Sequence, residues 1–295
     1  MNIGIDIGGS HIAVGLVQDS VIIIKKEHNW TEQEKNNFFE SVEKYSKNLI
    51  EEIIIENVDT KIGKIGIGFP AANITDGKVT KFGQTIDLTK ILSEYFNIPT
   101  FLKNDVKCSA LCEKKYGSLK NYKNCLFMTL GTGIGGAYFY NGKLLRPNKF
   151  QGFEIGHMII KKDGKQCNCG NKGCFEQYAS MRIFRNKLEE LFDIKNINSY
   201  KFFELLNLKE KEEKVKEIIE EYIDYLEVGI INLINIFEPD AISIGGSFTY
   251  YAPVFIDKLK QRLQSKFLNR TIPDIIIASF ENDAGIIGAS MLEEN

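Results

Sequence analysis

The chain alternates short runs of aliphatic and β-branched residues with longer stretches whose apolar residues recur every three or four positions. These two periods separate strands from amphipathic helices. Residues 2–7, 11–17 and 21–26 are predicted strands, the last two joined through Gln18-Asp19-Ser20. Thr31 is placed to cap a long helix reaching residue 56, because Phe38, Val42, Tyr45, Leu49 and Ile53 fall on one stripe. A buried strand is expected at 65–68, opening onto Phe69-Pro70-Ala71, and a helix at 88–96 stops ahead of Pro99. A strand at 100–103 follows. Asn104-Asp105 then begins a helix that runs to Tyr116 and closes at Gly117.

The pattern then starts again. A strand at 126–130 enters Gly131-Thr132-Gly133, and strands at 134–140 and 143–146 are joined by the two-residue turn Asn141-Gly142. After a cysteine-rich stretch come helices at 180–192, 199–207 and 212–237, the last with a charged first half and a break at Pro239-Asp240. A strand at 241–245 enters Gly246-Ser247, followed by a helix at 253–267, a strand at 275–278 and a helix at 284–292. Each half opens with three strands, the first ending in a glycine turn, DIGGS in one and LGTGIGG in the other. A duplicated β-β-β-α-β-α-β-α unit predicts an α/β protein of two lobes around a central cleft, where ligands favour binding. Residues 1–117 are expected to form the first lobe and 118–283 the second. The helix within 284–295 is expected to pack back on the first.

Composition removes whole classes of function. The 295 residues allow a substantial core, and a formal net charge of −2 with mixed signs offers no basic footprint for nucleic acid. The N-terminus lacks the basic and apolar blocks of a signal peptide, and no apolar run reaches membrane-spanning length. Cys108, Cys112 and Cys125 sit in apolar segments and read as reduced core thiols, so a cytoplasmic protein is expected.

The chemistry concentrates at residues 154–176. One of three histidines (His157) and three of six cysteines (Cys167, Cys169, Cys174) lie there, bracketed by Glu154 and Glu176. One imidazole and three thiolates complete a tetrahedral zinc site with no open position, which makes the metal a clamp and not a catalyst. Gly170 and Gly173 permit the tight turns this needs. Glu154 and Glu176 can each accept from paired sugar hydroxyls, and the second nitrogen of a zinc-bound His157 is left to face a ligand.

Three glycine turns suit phosphate. In DIGGS, Gly8, Gly9 and Ser10 let backbone N–H groups approach an anion, and Asp6 would repel that anion unless it held Mg²⁺ between them. A plain tight hairpin is the simpler reading. Gly131, Gly133 and Gly136 satisfy the dinucleotide spacing but lead into a strand, so that fingerprint lacks its helix. Gly245-Gly246 offers a third approach for a nucleotide. Asp105 is either part of a helix cap, which Asn104 could supply alone, or a base for a hydroxyl attacking a γ-phosphate.

Taken together, DIGGS, Asn104-Asp105, LGTGIGG, EIGH, CNCGNKGCFE and IGGS, in this order across nearly the whole chain, resemble the ROK family of sugar kinases and sugar-responsive repressors. The resemblance implies an actin-like (ribonuclease H-like), two-lobed ATPase fold and a homodimer. It implies that Asp105 is the catalytic base for a hexose 6-hydroxyl and that Asn104, Glu154, His157 and Glu176 contact the sugar. Asp6, Gly8, Gly9, Ser10, Gly131, Thr132 and Gly133 become phosphate and Mg²⁺ residues, Gly245 and Gly246 lie near the adenosine of ATP, and His157, Cys167, Cys169 and Cys174 hold structural Zn²⁺. This chain departs from the family at Lys107 in NDVKCSA, at GGS for the frequent GGG, and at FPAANITDG and Phe82-Gly83-Gln84, segments expected to line the sugar's far side. The expected activity is that of an ATP- and Mg²⁺-dependent hexokinase of the glucokinase kind. N-acetylmannosamine, allose, fructose and β-glucosides are the other acceptors the resemblance allows. A repressor would carry a helix-turn-helix module ahead of the first strand, for which a strand starting at Asn2 leaves no residues. A silent sugar-binding protein would not need Asp105.

Overall fold

The computed structural model describes residues 1–71, 73–75, 77–81, 83–145, 152–206, 208, 211–267 and 271–293. It divides into two compact units. One comprises Met1–Asn121, Leu144–Gly152 and Asn282–Asn295, the other Tyr122–Lys143 and Phe153–Glu281.

The first unit opens with β1 (Asn2–Ile7), β2 (His11–Gln18) and β3 (Val21–Asn29), paired antiparallel in sequence. Thr31 does cap a helix, and Glu34 completes a capping box, but that helix, α1 (Glu32–Asn36), is only five residues long. The predicted single helix is broken at Asn37 (φ −107°, ψ 45°), and α2 (Phe38–Glu56) then buries Val42, Leu49 and Ile53. Asparagine gives up helical geometry readily because its side chain competes for backbone bonds. The offset brings the Phe38 ring within 6.0 Å of both Trp30 and Phe69. β4 (Ile65–Phe69) follows, buried throughout. Next comes a three-stranded sheet of β5 (Ile74–Thr75), β6 (Lys78–Lys81) and β7 (Gln84–Ile86), whose strands are too short for an alternating pattern to announce. α3 (Leu88–Phe96), β8 (Thr100–Asn104) and α4 (Asp105–Lys115) complete the run. The main sheet has the order β3-β2-β1-β4-β8, with β4 parallel to both β1 and β8.

The second unit repeats the plan. β9 (Cys125–Leu130), β10 (Ile134–Tyr140) and β11 (Lys143–Leu144) come first. α5 (Glu176–Ala179), α6 (Met181–Phe192), α7 (Ser199–Leu206) and α8 (Glu212–Phe237) are followed by β12 (Ala241–Gly245), α9 (Ala252–Lys266) and β13 (Asp274–Ile277). Its sheet order, β11-β10-β9-β12-β13, is that of the first unit, again with parallel pairs β9–β12 and β12–β13. Met128, Phe184, Phe202, Leu226, Ile230 and Phe255 lie in its core, and full burial of each such side chain contributes roughly 1.5–3 kcal/mol. The predicted element ends at residues 146 and 207, and Phe82, lie outside the described residues. Cys108, Cys112 and Cys125 are buried and in no disulfide among the described residues. Among the described residues no helix is long and apolar enough to cross a membrane.

The last helix, α10 (Ala284–Ser290), belongs to the first unit and packs on β1, β4 and α4 through glycine. A Cβ at Gly66 would stand 1.8 Å from the Ala289 carbonyl oxygen, and one at Gly288 would stand 1.8 Å from that of Cys108. Only hydrogen fits at either place.

Candidate active site

In the first unit, the turn from β1 to β2 is held from behind. Gly8 N–H donates to the His11 carbonyl at 2.8 Å. Trp30 makes two bonds to the same turn, from its backbone N–H to Ser10 O (2.9 Å) and from Nε1 to Gly8 O (3.0 Å). The amides of Gly9 and Ser10 donate to no backbone acceptor among the described residues, while the Gly8 and Ser10 carbonyls on either side of Gly9 are engaged by Trp30. Asp6, half-buried at the end of β1, lies against α10: a Cβ at Gly285 would stand 2.6 Å from its carboxyl carbon. Burial, and after it the charge of Asp105, pushes the Asp6 carboxyl up to about 7, with Lys25 pulling the other way.

Asp105 begins α4 directly after β8. The cap is Asn104, whose Oδ1 accepts from Lys107 N–H at 3.2 Å. Asn104 Nδ2 donates to Asp105 Oδ1 at 2.8 Å and so fixes the carboxylate's orientation. Lys107 is buried, its ammonium donating to the Gly152 carbonyl at 2.9 Å.

In the second unit, the turn between β9 and β10 is tied back in the same manner. Gly131 N–H donates to Gly133 O at 3.0 Å. Arg182, at the second position of α6, donates from its backbone N–H to Gly131 O (3.1 Å) and from Nε to Thr132 O (3.0 Å). Gly246, with φ 73°, turns the chain out of β12. A Cβ there would stand 2.8 Å from the Leu130 carbonyl oxygen, which brings Gly245-Gly246 beside the β9–β10 turn.

Glu154 is exposed and precedes a 3-10 turn, Ile155–His157. Backbone packing seats that turn on β10, since a Cβ at Gly156 would stand 2.2 Å from Ile134 O. His157 Nδ1 approaches Cys167 Sγ at 3.6 Å, and Cys169 Sγ lies 3.5 Å from Cys174 Sγ. All four donor atoms fall within 4.8 Å of one another. Gly170 and Gly173 turn the loop with φ of 93° and 85°. The Asn171 backbone N–H holds the Cys169 thiol below its usual range, while burial pushes Cys174 up to about 12. A soft divalent cation answers both facts, since it binds thiolates and stabilises the ionised form that burial opposes. The donor set fits Zn²⁺ held through His157 Nδ1.

Glu176 joins this loop to the glycine turn. Its Oε1 stands 3.4 Å from Cys167 Sγ and 3.9 Å from His157 Nδ1, while a Cβ at Gly133 would stand 2.9 Å from its Oε2. The structure thus groups Asp6, Gly8, Gly9, Ser10, Asn104 and Asp105 within the first unit. Gly131, Thr132, Gly133, Glu154, His157, the three cysteines, Glu176, Gly245 and Gly246 belong to the second. Two residues that hold the turns, Trp30 and Arg182, escaped sequence reasoning, because both act on carbonyls and neither lies in a motif.

Comparison with known proteins places these groups in context. The ROK family model matches residues 2–295. A glucokinase of Thermotoga maritima is 27% identical, covering 98% of this chain and 96% of its own length. A xylose repressor of Bacillus spizizenii is 33% identical over 64% of this chain and 50% of its own. Among solved structures, a ROK family glucokinase from Streptomyces griseus in complex with glucose and AMPPNP superposes with a TM-score of 0.79 at 22% identity, covering 98% and 97% of the two chains. The fold is the actin-like ATPase fold.

Proposed function

The chain belongs to the ROK family, and on that premise we propose that it is an ATP-dependent sugar kinase acting on the 6-hydroxyl of a hexose, with glucose the first candidate. The observation that carries the reading is the pair of carboxylates Asp6 and Asp105, each in the other's field beside a turn of unengaged amides. Such a pair suits a proton acceptor and a cation holder acting on one phosphoryl group.

In this reading Asp105, oriented by Asn104, takes the proton of the hydroxyl. The hydroxyl oxygen forms its bond to the γ-phosphorus as the bond to the β–γ bridging oxygen breaks, and that electron pair leaves with ADP. The amides of Gly9, Ser10, Thr132 and Gly133 receive phosphate oxygens, and Gly245 and Gly246 lie near the adenosine. Mg²⁺ held by Asp6 would neutralise phosphate charge. Zn²⁺ on His157, Cys167, Cys169 and Cys174 would stiffen the loop from which Glu154, His157 and Glu176 contact the sugar.

The test is ADP release across a hexose panel that includes glucose, fructose, allose, N-acetylmannosamine and a β-glucoside. Asp105→Asn should retain sugar binding and lose several orders of magnitude in turnover; near-normal turnover would remove Asp105 from the base role. The similarity to the xylose repressor favours a second reading, a sugar-sensing regulator. Sugar binding without ADP release from any member of the panel would select it.

A further inference from the structure

Arg182 lies in none of the motifs that mark the glycine turns, yet it touches one of them twice. We infer that its guanidinium is a phosphate ligand for the nucleotide, and that its backbone N–H and Nε hold the Gly131–Gly133 turn in the orientation that receives the same phosphates. The identity of the anion rests on the kinase reading above.

All three carbonyls of the turn are engaged within the chain. Gly131 O accepts from Arg182 N–H, Thr132 O from Arg182 Nε, and Gly133 O from Gly131 N–H. The amides of Thr132 and Gly133 have no backbone acceptor among the described residues. A turn with its acceptors occupied and its donors unengaged presents positive potential only, which is what an oxyanion requires. Arg182 adds a full charge to it.

Among the described residues that charge has no carboxylate partner, a state it shares with Arg185. Bonded to a carbonyl at Nε, the guanidinium keeps both terminal amino groups without an acceptor, and no carboxylate lies within 4.0 Å of it among the described residues. By contrast, Arg262 contacts Glu220, Asp224 and Glu227. Arginine stays charged at any working pH, and its two terminal groups form a fork that matches two oxygens of one phosphate. The residue is also fixed in place. Buried Met181 precedes it, and the buried Ser180 caps α6 through Ile183 N–H at 3.4 Å, so the half-buried Arg182 is presented by a rigid helix start.

Calorimetric titration of the full chain with Mg·AMPPNP, MgADP and adenosine, on the unmutated protein, Arg182→Gln and Arg182→Lys, separates the outcomes. Loss of charge-assisted bonds should weaken Mg·AMPPNP and MgADP binding by about 10- to 100-fold in Arg182→Gln while leaving adenosine and hexose affinity unchanged. Arg182→Lys should fall between, keeping charge without the fork. Equal phosphate-nucleotide affinity in all three proteins overturns the inference. A parallel loss of adenosine affinity also overturns it, because a purely structural residue would weaken every part of the ligand. Should Arg182→Gln fail to fold, Arg182→Lys alone decides: weaker Mg·AMPPNP binding with unchanged adenosine binding supports the inference, and unchanged binding of both refutes it. If the unmutated protein binds no magnesium nucleotide, the kinase reading falls together with this one; if it binds and turns over while both variants match it, only the role of Arg182 falls.

Discussion

Burial and the charge of Asp105 push the Asp6 carboxyl up to about 7, from 3.8 when free. Between those values the folded chain binds a proton that the unfolded chain has released, so stability falls as pH rises through that window. The loss is at most ~4 kcal/mol. Asp6→Asn keeps the shape and removes the titration. Thermal midpoints measured without nucleotide should therefore decline from pH 5 to pH 8 in the unmutated protein and stay nearly level in the variant. Parallel slopes would show that Asp6 is not the titrating group. The carboxylate itself was legible in DIGGS because a charged residue closing an apolar strand stands out. Arg182 and Trp30 were not legible, since each reaches a turn 50 or 22 residues earlier through a carbonyl, and a carbonyl is common to every residue type.

At the scale of elements, the loop of His157 and the three cysteines and the helix α10 each bear on a neighbour. Cys169→Ser removes a ligand from a set whose four donors lie within 4.8 Å. It should lose bound zinc by elemental analysis and weaken hexose binding, and an unmutated protein free of zinc would defeat the assignment. α10 works by contact. Gly288→Ala would drive a methyl into the Cys108 carbonyl of α4, 1.8 Å away, so α4 or α10 must shift. Overpacking of this kind costs about 1–3 kcal/mol, and α4 begins with Asp105. Denaturant unfolding should show that loss, and turnover should fall more than hexose affinity does. The loop was readable in advance because one histidine and three cysteines within 18 residues have few other uses. The break at Asn37 and the sheet β5-β6-β7 were not. One depends on where Phe38 must meet Trp30 and Phe69, and the other is built from strands of two to four residues.

For the whole molecule, the repeat of strand and helix periods along the chain corresponds to two sheets of the same order, each with an antiparallel hairpin followed by two parallel pairs. Periodicity reveals such a repeat because each half must bury a central strand on both faces. It cannot reveal which unit a connecting residue joins, as Gly152 does with the first unit. The placement of α10 carries a consequence for biosynthesis. The first unit's sheet is complete in sequence by Asn104, but the helix that fits its glycines lies beyond residue 281, after the entire second unit. On the ribosome, the strands bearing Gly4 and Gly66 must therefore wait, with one face unsealed, while about 180 further residues emerge after Asn104. A chain interrupted late in translation would be left holding a finished second unit and an open first one, the kind of species that chaperones exist to shelter.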